Sequence, residues 1–254
     1  MSESGPRFWE AFFEVFGALP RQGPGDRAST ERACRLCRDL PATPVVLDMG
    51  CGVGAQSLHL AGLAPGVVVA LDRHAPFVRR LATAVAERGM ARRVMPLVGE
   101  MGAPPFAEGR FDLIHSEGAL YFVGVESGLR LWRGLLRSRG YVTFSEAVWR
   151  RPDPPEELRA SWAQEYPQMT TVDGNLEIIG RCGYESVGHF PLPDEAWWTD
   201  FYSPMEHRLG ILRPRYEGDA EALAALDLIQ REIEMHRRYG DYYAYEFFGV
   251  RRTD

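Results

Sequence analysis

The residues best spaced for chemistry lie in VVLDMGCGVGAQSLHLA, Val45 to Ala61. A β-branched run ends in an acid, Asp48, then passes through Gly50, Gly52 and Gly54 into a segment with helical character. Glycines at alternate positions between a strand and a helix let the backbone approach a ligand closely, because any Cβ would stand in the way. A second acid, Asp72, ends the next apolar run, where a carboxylate can accept from ribose hydroxyls. The chemistry this spacing suits is the binding of a nucleoside-containing cofactor.

Two classes of cofactor fit such a turn. A dinucleotide also wants an acid about 20 residues past its first glycine, so the position of Asp72 does not separate them. The glycines help: the third glycine of GxGxxG is missing, with Ala55, Gln56 and Ser57 following Gly54. Asp48 helps more. A pyrophosphate rests on the helix N-terminus as an anion, and a carboxylate aimed into the same turn repels it. At about 4 Å and an effective dielectric of about 20, that repulsion is about 4 kcal/mol. The acid is welcome if the ligand brings a cation and no phosphate. S-adenosylmethionine is such a ligand, with an α-ammonium and a sulfonium beside its ribose and adenine.

LDMGCGVG resembles the first motif of class I S-adenosylmethionine-dependent methyltransferases. The other marks of that family follow in order: Asp72, then Gly99-Glu100-Met101 after the third strand, then FDLIHS as the fourth. RQGPGD, FDLIHSEGALYFVG, SEAVW, WWTDFY and YGDYYAYEFF are similar to a type 11-like subgroup of bacterial methyltransferases. The resemblance implies S-adenosylmethionine as cofactor. On it, the backbone of Gly50, Cys51, Gly52 and Gly54, with Gln56, meets the methionine part, and Asp48 sits near the ammonium. Asp72, with Arg73 beside it, takes the ribose hydroxyls, while Glu100 accepts from the adenine amine and Met101 packs on the ring. Ser116 and Glu117 fall next to the transferring methyl, so the catalytic candidates are Glu117 and Tyr121.

Methyl transfer from a sulfonium is an in-line displacement, so catalysis is mostly positioning, and a base is needed only when the nucleophile carries a proton. No Asn/Asp-Pro-Pro-Tyr/Phe run follows the fourth strand, which disfavours nucleic-acid amines, and no Pro-Cys pair stands where cytosine-C5 enzymes attack. A small-molecule substrate remains, acting through an O, N, S or C nucleophile. Gln22, Glu146, Trp149, Trp198 and Tyr202 are candidates to line its site. Acids beside aromatic rings suit an amine or cation. A nicotinamide-dependent oxidoreductase and a non-catalytic S-adenosylmethionine-binding module stay open as alternatives.

These residues must be held by an α/β fold. Apolar runs at 44–49, 66–72, 93–98, 111–116 and 140–147 alternate with helices at 54–63, 75–88 and 126–137. That rhythm predicts a doubly wound, Rossmann-like, seven-stranded and mostly parallel sheet, closed by strands at 184–192 and 242–252. Helices at 8–19 and 29–40, and a late insertion around 193–240 rich in aromatic residues, should fold back over it as a cap. The expected organisation is a single domain over 1–254, with an N-terminal helical cap (1–43), a cofactor-binding core (44–150) and the remaining sheet plus insertion (151–254).

Composition narrows the function further. All 29 basic residues are arginine, which excludes Schiff-base lysine chemistry and a P-loop lysine. The formal net charge of −6 argues against a nucleic-acid partner. Cys34 and Cys37 fall at helical spacing within an amphipathic pattern, and the histidines lack metal-ligand spacing, so no metal site is expected. MSESGPRFWEAFFEVFG places acids within its apolar part and does not read as a secretion signal. No run approaches the roughly 18 to 20 apolar residues of a membrane span. A cytoplasmic protein without membrane attachment is expected, and self-association as a homodimer stays open.

Overall fold

A computed structural model describes residues 5–254. The first four residues, which belong to the segment read against a secretion signal, lie outside the described residues. The strands are β1 (Val45–Met49), β2 (Val67–Asp72), β3 (Val94–Val98), β4 (Phe111–Glu117), β5 (Leu136–Trp149), β6 (Thr170–Thr171), β7 (Tyr184–Pro191) and β8 (Tyr243–Arg252). Seven form one path in the order β3-β2-β1-β4-β5-β8-β7, and the short β6 pairs with the end of β5. The strands from β3 to β5 run parallel, and β8 lies antiparallel between β5 and β7. Every residue of β4 is buried, as expected of a strand covered on both faces.

The helices are α1 (Pro6–Phe16), α2 (Arg27–Leu36), α3 (Ala55–Leu63), α4 (Ala75–Glu87), α5 (Val125–Leu135), α6 (Glu156–Glu165), α7 (Val172–Arg181), α8 (Glu195–Trp197), α9 (Ser203–Arg215) and α10 (Ala220–Tyr239). One expected boundary shifts, and the late insertion gains definition. The second helix starts at Arg27, because the Asp26 side chain caps it by accepting the Ser29 amide at 2.7 Å, and it leaves helical geometry at Cys37, ahead of Pro41. The region from Glu195 to Arg215, which carries no strand signal, forms α8, a wide turn over Trp198–Tyr202, and α9.

Strand order reverses direction between β1 and β4, each of which neighbours the other while their further partners run outward. In such sheets the crevice outside the carboxyl ends at the switch point receives the ligand. Above it sits the cap, in which α1 joins the late helices. Glu14 of α1 accepts from Arg208 (3.0 Å) and Arg215 (2.9 Å) of α9, and Arg7 reaches Asp219 (2.9 Å) before α10. A single apolar cluster runs from Ala11 and Val15 through Trp197, Phe201 and Met205 to Phe247 of the sheet.

Trp197 couples cap to sheet. Its ring is buried, lies 4.2 Å from His236 of α10 and meets the Tyr245 ring of β8 edge-on at 4.8 Å. Trp197→Ala should therefore lower stability by roughly 3–5 kcal/mol. Urea unfolding at neutral pH measures this, and a loss under about 1 kcal/mol would show that the cap is held elsewhere.

Candidate active site

The glycine turn crosses the carboxyl edge of the sheet with Gly50, Gly52 and Gly54 at φ of 73°, 54° and 84°. The Gly50 and Cys51 amides donate to the Leu71 carbonyl at 2.8 and 3.0 Å, which fastens the turn to β2. A Cβ on Gly50 would come within 2.5 Å of the Ala119 methyl, so a side chain is refused there by both backbone and space. Asp72 closes the turn from β2: its carboxylate accepts the Gly52 amide at 2.9 Å and the His74 amide at 2.7 Å. Gln22 lies over it, accepting the Val53 amide at 2.8 Å and donating to the Phe16 carbonyl at 3.0 Å.

Three acids at this edge are buried, and each is accommodated differently. Asp48, with no exposed surface, accepts from the Ser57 hydroxyl and from Gln56 Nε2 (3.5 Å), both on the first turns of α3. Burial pushes its carboxyl up to about 6, against the opposing influence of His115 and the Ser57 hydrogen bond. The oxygens expected to face a ligand ammonium are thus engaged by the helix that the turn leads into.

Glu117 is the most heavily bonded. Arg21 donates to Oε2, while Thr30 (2.6 Å) and His115 Nε2 (2.8 Å) donate to Oε1. The other imidazole nitrogen of His115 meets Thr143 Oγ1 at 2.7 Å. Burial works against the charge, but Arg21 and the His115 and Thr30 hydrogen bonds outweigh it and hold the carboxyl at about 2. The carboxylate expected beside the reacting methyl is a permanent anion that fixes the N-terminal segment to the sheet. Glu146, also without exposed surface, accepts the Ala147 amide at 3.0 Å through Oε1, while its Oε2 has no partner. Burial pushes it up to about 8.

The other expected residues divide between the crevice and its rim. Cys51 is buried with its thiol turned to the Gly52 carbonyl, and burial pushes the thiol up. The Ser116 hydroxyl donates to the Met49 carbonyl at 3.0 Å, tying β4 to β1. Met101 stands over Gly50, whereas Arg73 and Glu100 are exposed. Tyr121 follows β4 with its ring 5.8 Å from that of Tyr166, and the Tyr202 hydroxyl donates to Glu232 at 3.1 Å. Trp149 and Trp198 are half-buried against the cap cluster, with Arg237 over the Trp198 ring at 5.0 Å. Sequence reasoning missed Arg21, Thr30, His115 and Glu232. A signal existed for His115, which shares a strand face with Glu117 two residues on.

Residues 46–140 match the family model described as a methyltransferase domain. The malonyl-(acyl-carrier protein) O-methyltransferase of Magnetococcus marinus is 32% identical over 108 residues, 42% of this chain and 39% of that protein. The chain therefore aligns with well under half the length of this curated relative. An S-adenosylmethionine-dependent methyltransferase from Geobacter sulfurreducens, solved with S-adenosyl-L-homocysteine, superposes with a TM-score of 0.81 at 20% identity, covering 97% of this chain and 98% of the other. Residues 46–140 carry a methyltransferase domain, and the fold is that of S-adenosylmethionine-dependent methyltransferases. The same methyltransferase fold also superposes on the cyclase SpnF, with a TM-score of 0.75 and 16% identity over 97% of this chain and 93% of that one.

Glu117 and Arg21 form a closed ion pair whose side chains are nearly inaccessible. Arg21→Ala leaves a buried charge unpaired and should lower stability by roughly 3–5 kcal/mol, whereas removing both charges in Arg21→Met/Glu117→Leu should recover much of it. The sign with pH is set by the depressed carboxyl. Its stabilising contribution is complete above about 4.5 and disappears as pH falls toward about 2. Denaturant titrations across that window should find a steeper loss in the wild type than in Arg21→Ala, and parallel curves would refute the pairing.

Proposed function

We propose that this protein transfers the methyl group of S-adenosylmethionine to a small molecule held beneath its aromatic cap. The observation that carries the reading is the glycine turn itself, bounded by Asp48 at the end of β1 and Asp72 at the end of β2. A phosphate group would be disfavoured there, because Asp48 and Asp72 flank the turn and the Arg21 guanidinium is already paired with Glu117. The donor set fits an adenosyl ligand: Asp72 is only partly buried at the crevice edge, and Met101 and Ala119 wall the approach to Gly50. When bound, S-adenosylmethionine supplies an electrophilic methyl on a good leaving group.

The chain's own residues then have defined tasks. Asp72 orients the ribose hydroxyls by accepting from them, and the backbone of Gly50 and Gly52 sets how close the methionine part lies. Glu100 and Met101 serve the adenine. Arg21, Gln22 and the cap exclude water from above, which matters because in-line transfer gains chiefly from alignment and desolvation. A small substrate suits a crevice covered by Tyr121, Trp149, Tyr202 and Trp197 better than a macromolecule does. Among the described residues no helix is long and apolar enough to cross a membrane, and the reading takes the protein as a cytoplasmic enzyme.

Asp72→Ala should weaken S-adenosylmethionine binding by roughly tenfold or more, the loss of charge-assisted hydrogen bonds to the ribose. Calorimetry measures it, with thermal unfolding separating a lost ligand contact from a collapsed turn. Unchanged affinity would sink the ribose assignment. Native mass spectrometry of the purified protein should also find S-adenosylmethionine or its demethylated product retained, and radiolabelled donor with a metabolite library should yield a methylated product.

A further inference from the structure

Glu146 Oε2 is buried and has no hydrogen-bond partner of ordinary geometry, although the Tyr121 backbone amide also acts on this carboxyl. Glu246, opposite it in the β5–β8 register, is paired with His189 at 2.6 Å, and Glu117 has every donor described above. A buried acceptor left unpaired costs free energy and is rare in folded proteins, so its retention points to a partner that arrives from outside. The surroundings identify what that partner is. Tyr121 comes from the turn after β4, Tyr166 from the end of α6 and Tyr245 from β8, and the charge of Glu146 bears on all three phenols. Glu165 and Glu232 act on Tyr121 from α6 and α10. Three carboxyls thus bear on Tyr121, one of them, Glu165, from the exposed end of α6, and no cation is paired with Glu146. Phe122, 66% exposed and 4.1 Å ring to ring from Tyr121, marks the solvent side.

We propose that Glu146 is the amine site of the substrate pocket: an amine nucleophile donates an N–H to Oε2, and the carboxylate takes the proton that the nitrogen must lose. The inference rests on the methyltransferase reading above. The step balances. An ammonium passes one proton to Glu146, the freed lone pair forms the N–C bond to the methyl, and the S–C bond breaks with its electron pair remaining on sulfur. The methylated ammonium leaves, and Glu146 returns its proton to water. Tyrosine faces stabilise the cation before and after transfer. A carboxyl near 8 takes a proton from an alkylammonium, which ordinarily releases it at about 10.4, far more readily than one near 4.5. Glu117 is unsuited, because its lone pairs are filled and it is held near 2.

The test uses the whole protein, Glu146→Gln and Glu146→Asp with radiolabelled S-adenosylmethionine. The acceptor panel contains primary and secondary amines beside matched alcohols, phenols, carboxylic acids and thiols. Label should enter amines, and kcat/KM should rise with pH through a midpoint near 8. Glu146→Gln should lower kcat by about 100-fold or more and abolish that limb, with Glu146→Asp restoring part of both. Calorimetric affinity for S-adenosylmethionine should stay within about twofold in both variants, since Glu146 lies outside the glycine turn. In protein without substrate, difference infrared spectra at pH 6 should contain the stretch of a protonated carboxyl that Glu146→Gln removes. Label confined to non-amines, no labelled amine despite donor binding, wild-type turnover in Glu146→Gln, or absence of the infrared band each overturns the proposal. A wild-type protein that binds no S-adenosylmethionine overturns the underlying function as well, and calorimetry tells the two failures apart.

Discussion

The ion pair between Arg21 and Glu117 is the contact on which the architecture of the crevice depends. An anion at the end of a fully buried strand must be matched, and here the matching groups come from widely separated parts of the chain. Arg21 belongs to the loop after α1, Thr30 to the first turns of α2, and His115 to β4 itself. One carboxylate thereby sets where the N-terminal segment crosses the sheet. Gln22 follows Arg21 in sequence, so its position over the Val53 amide is a consequence of the same contact. Such a pair is weak evidence of stability compared with an apolar substitute. Its effect is to specify geometry, because one carboxylate takes donors from the loop, from α2 and from β4 at once.

Three buried acids lie along one edge, and their different treatments give the crevice its electrical character. Asp48 keeps hydrogen bonds from a hydroxyl and an amide, neither of which carries charge. Glu117 is neutralised by a guanidinium and contributes little net field beyond its neighbours. Glu146 has no cation and accepts only from backbone amides, and burial favours its neutral form up to about 8. Of the three, only Glu146 retains an oxygen without a partner, since the oxygens of Asp48 are taken by Ser57 and Gln56.

Local patterns were legible in the sequence and long-range pairings were not. The β-branched runs of β1 and β4, the glycine turn and the acid ending β2 announce themselves within a few residues, because period and turn chemistry are local properties. Asp48 was read as open to a ligand, since its partners Ser57 and Gln56 come into reach only after the turn folds α3 back over the strand end. Arg21 carried no signal, as its partner lies 96 residues on. Helical character between Glu195 and Arg215 was hidden by Pro204 and Pro214, although Trp197, Phe201 and Met205 recur every four residues and are all buried. Proline at the start of a helix is tolerated there, so it did not break what the aromatic spacing built.

The sequence match to the methyltransferase domain is narrower than the structural one, which takes in the cap as well. The family match ends at residue 140, and Glu146 stands just beyond it. Tyr166, Trp197, Tyr202, Glu232 and Tyr245 lie further still, while Arg21 and Gln22 precede its first residue. On the proposed function, donor binding falls to the core matched by the family model and the choice of acceptor to the cap and the ends of β5 and β8. A fold shared with both a methyltransferase and a cyclase cannot by itself select a reaction. What selects is the position of individual polar groups in the enclosed space. The unpaired oxygen of Glu146 distinguishes this enclosure from an aromatic pocket that would accept any flat molecule.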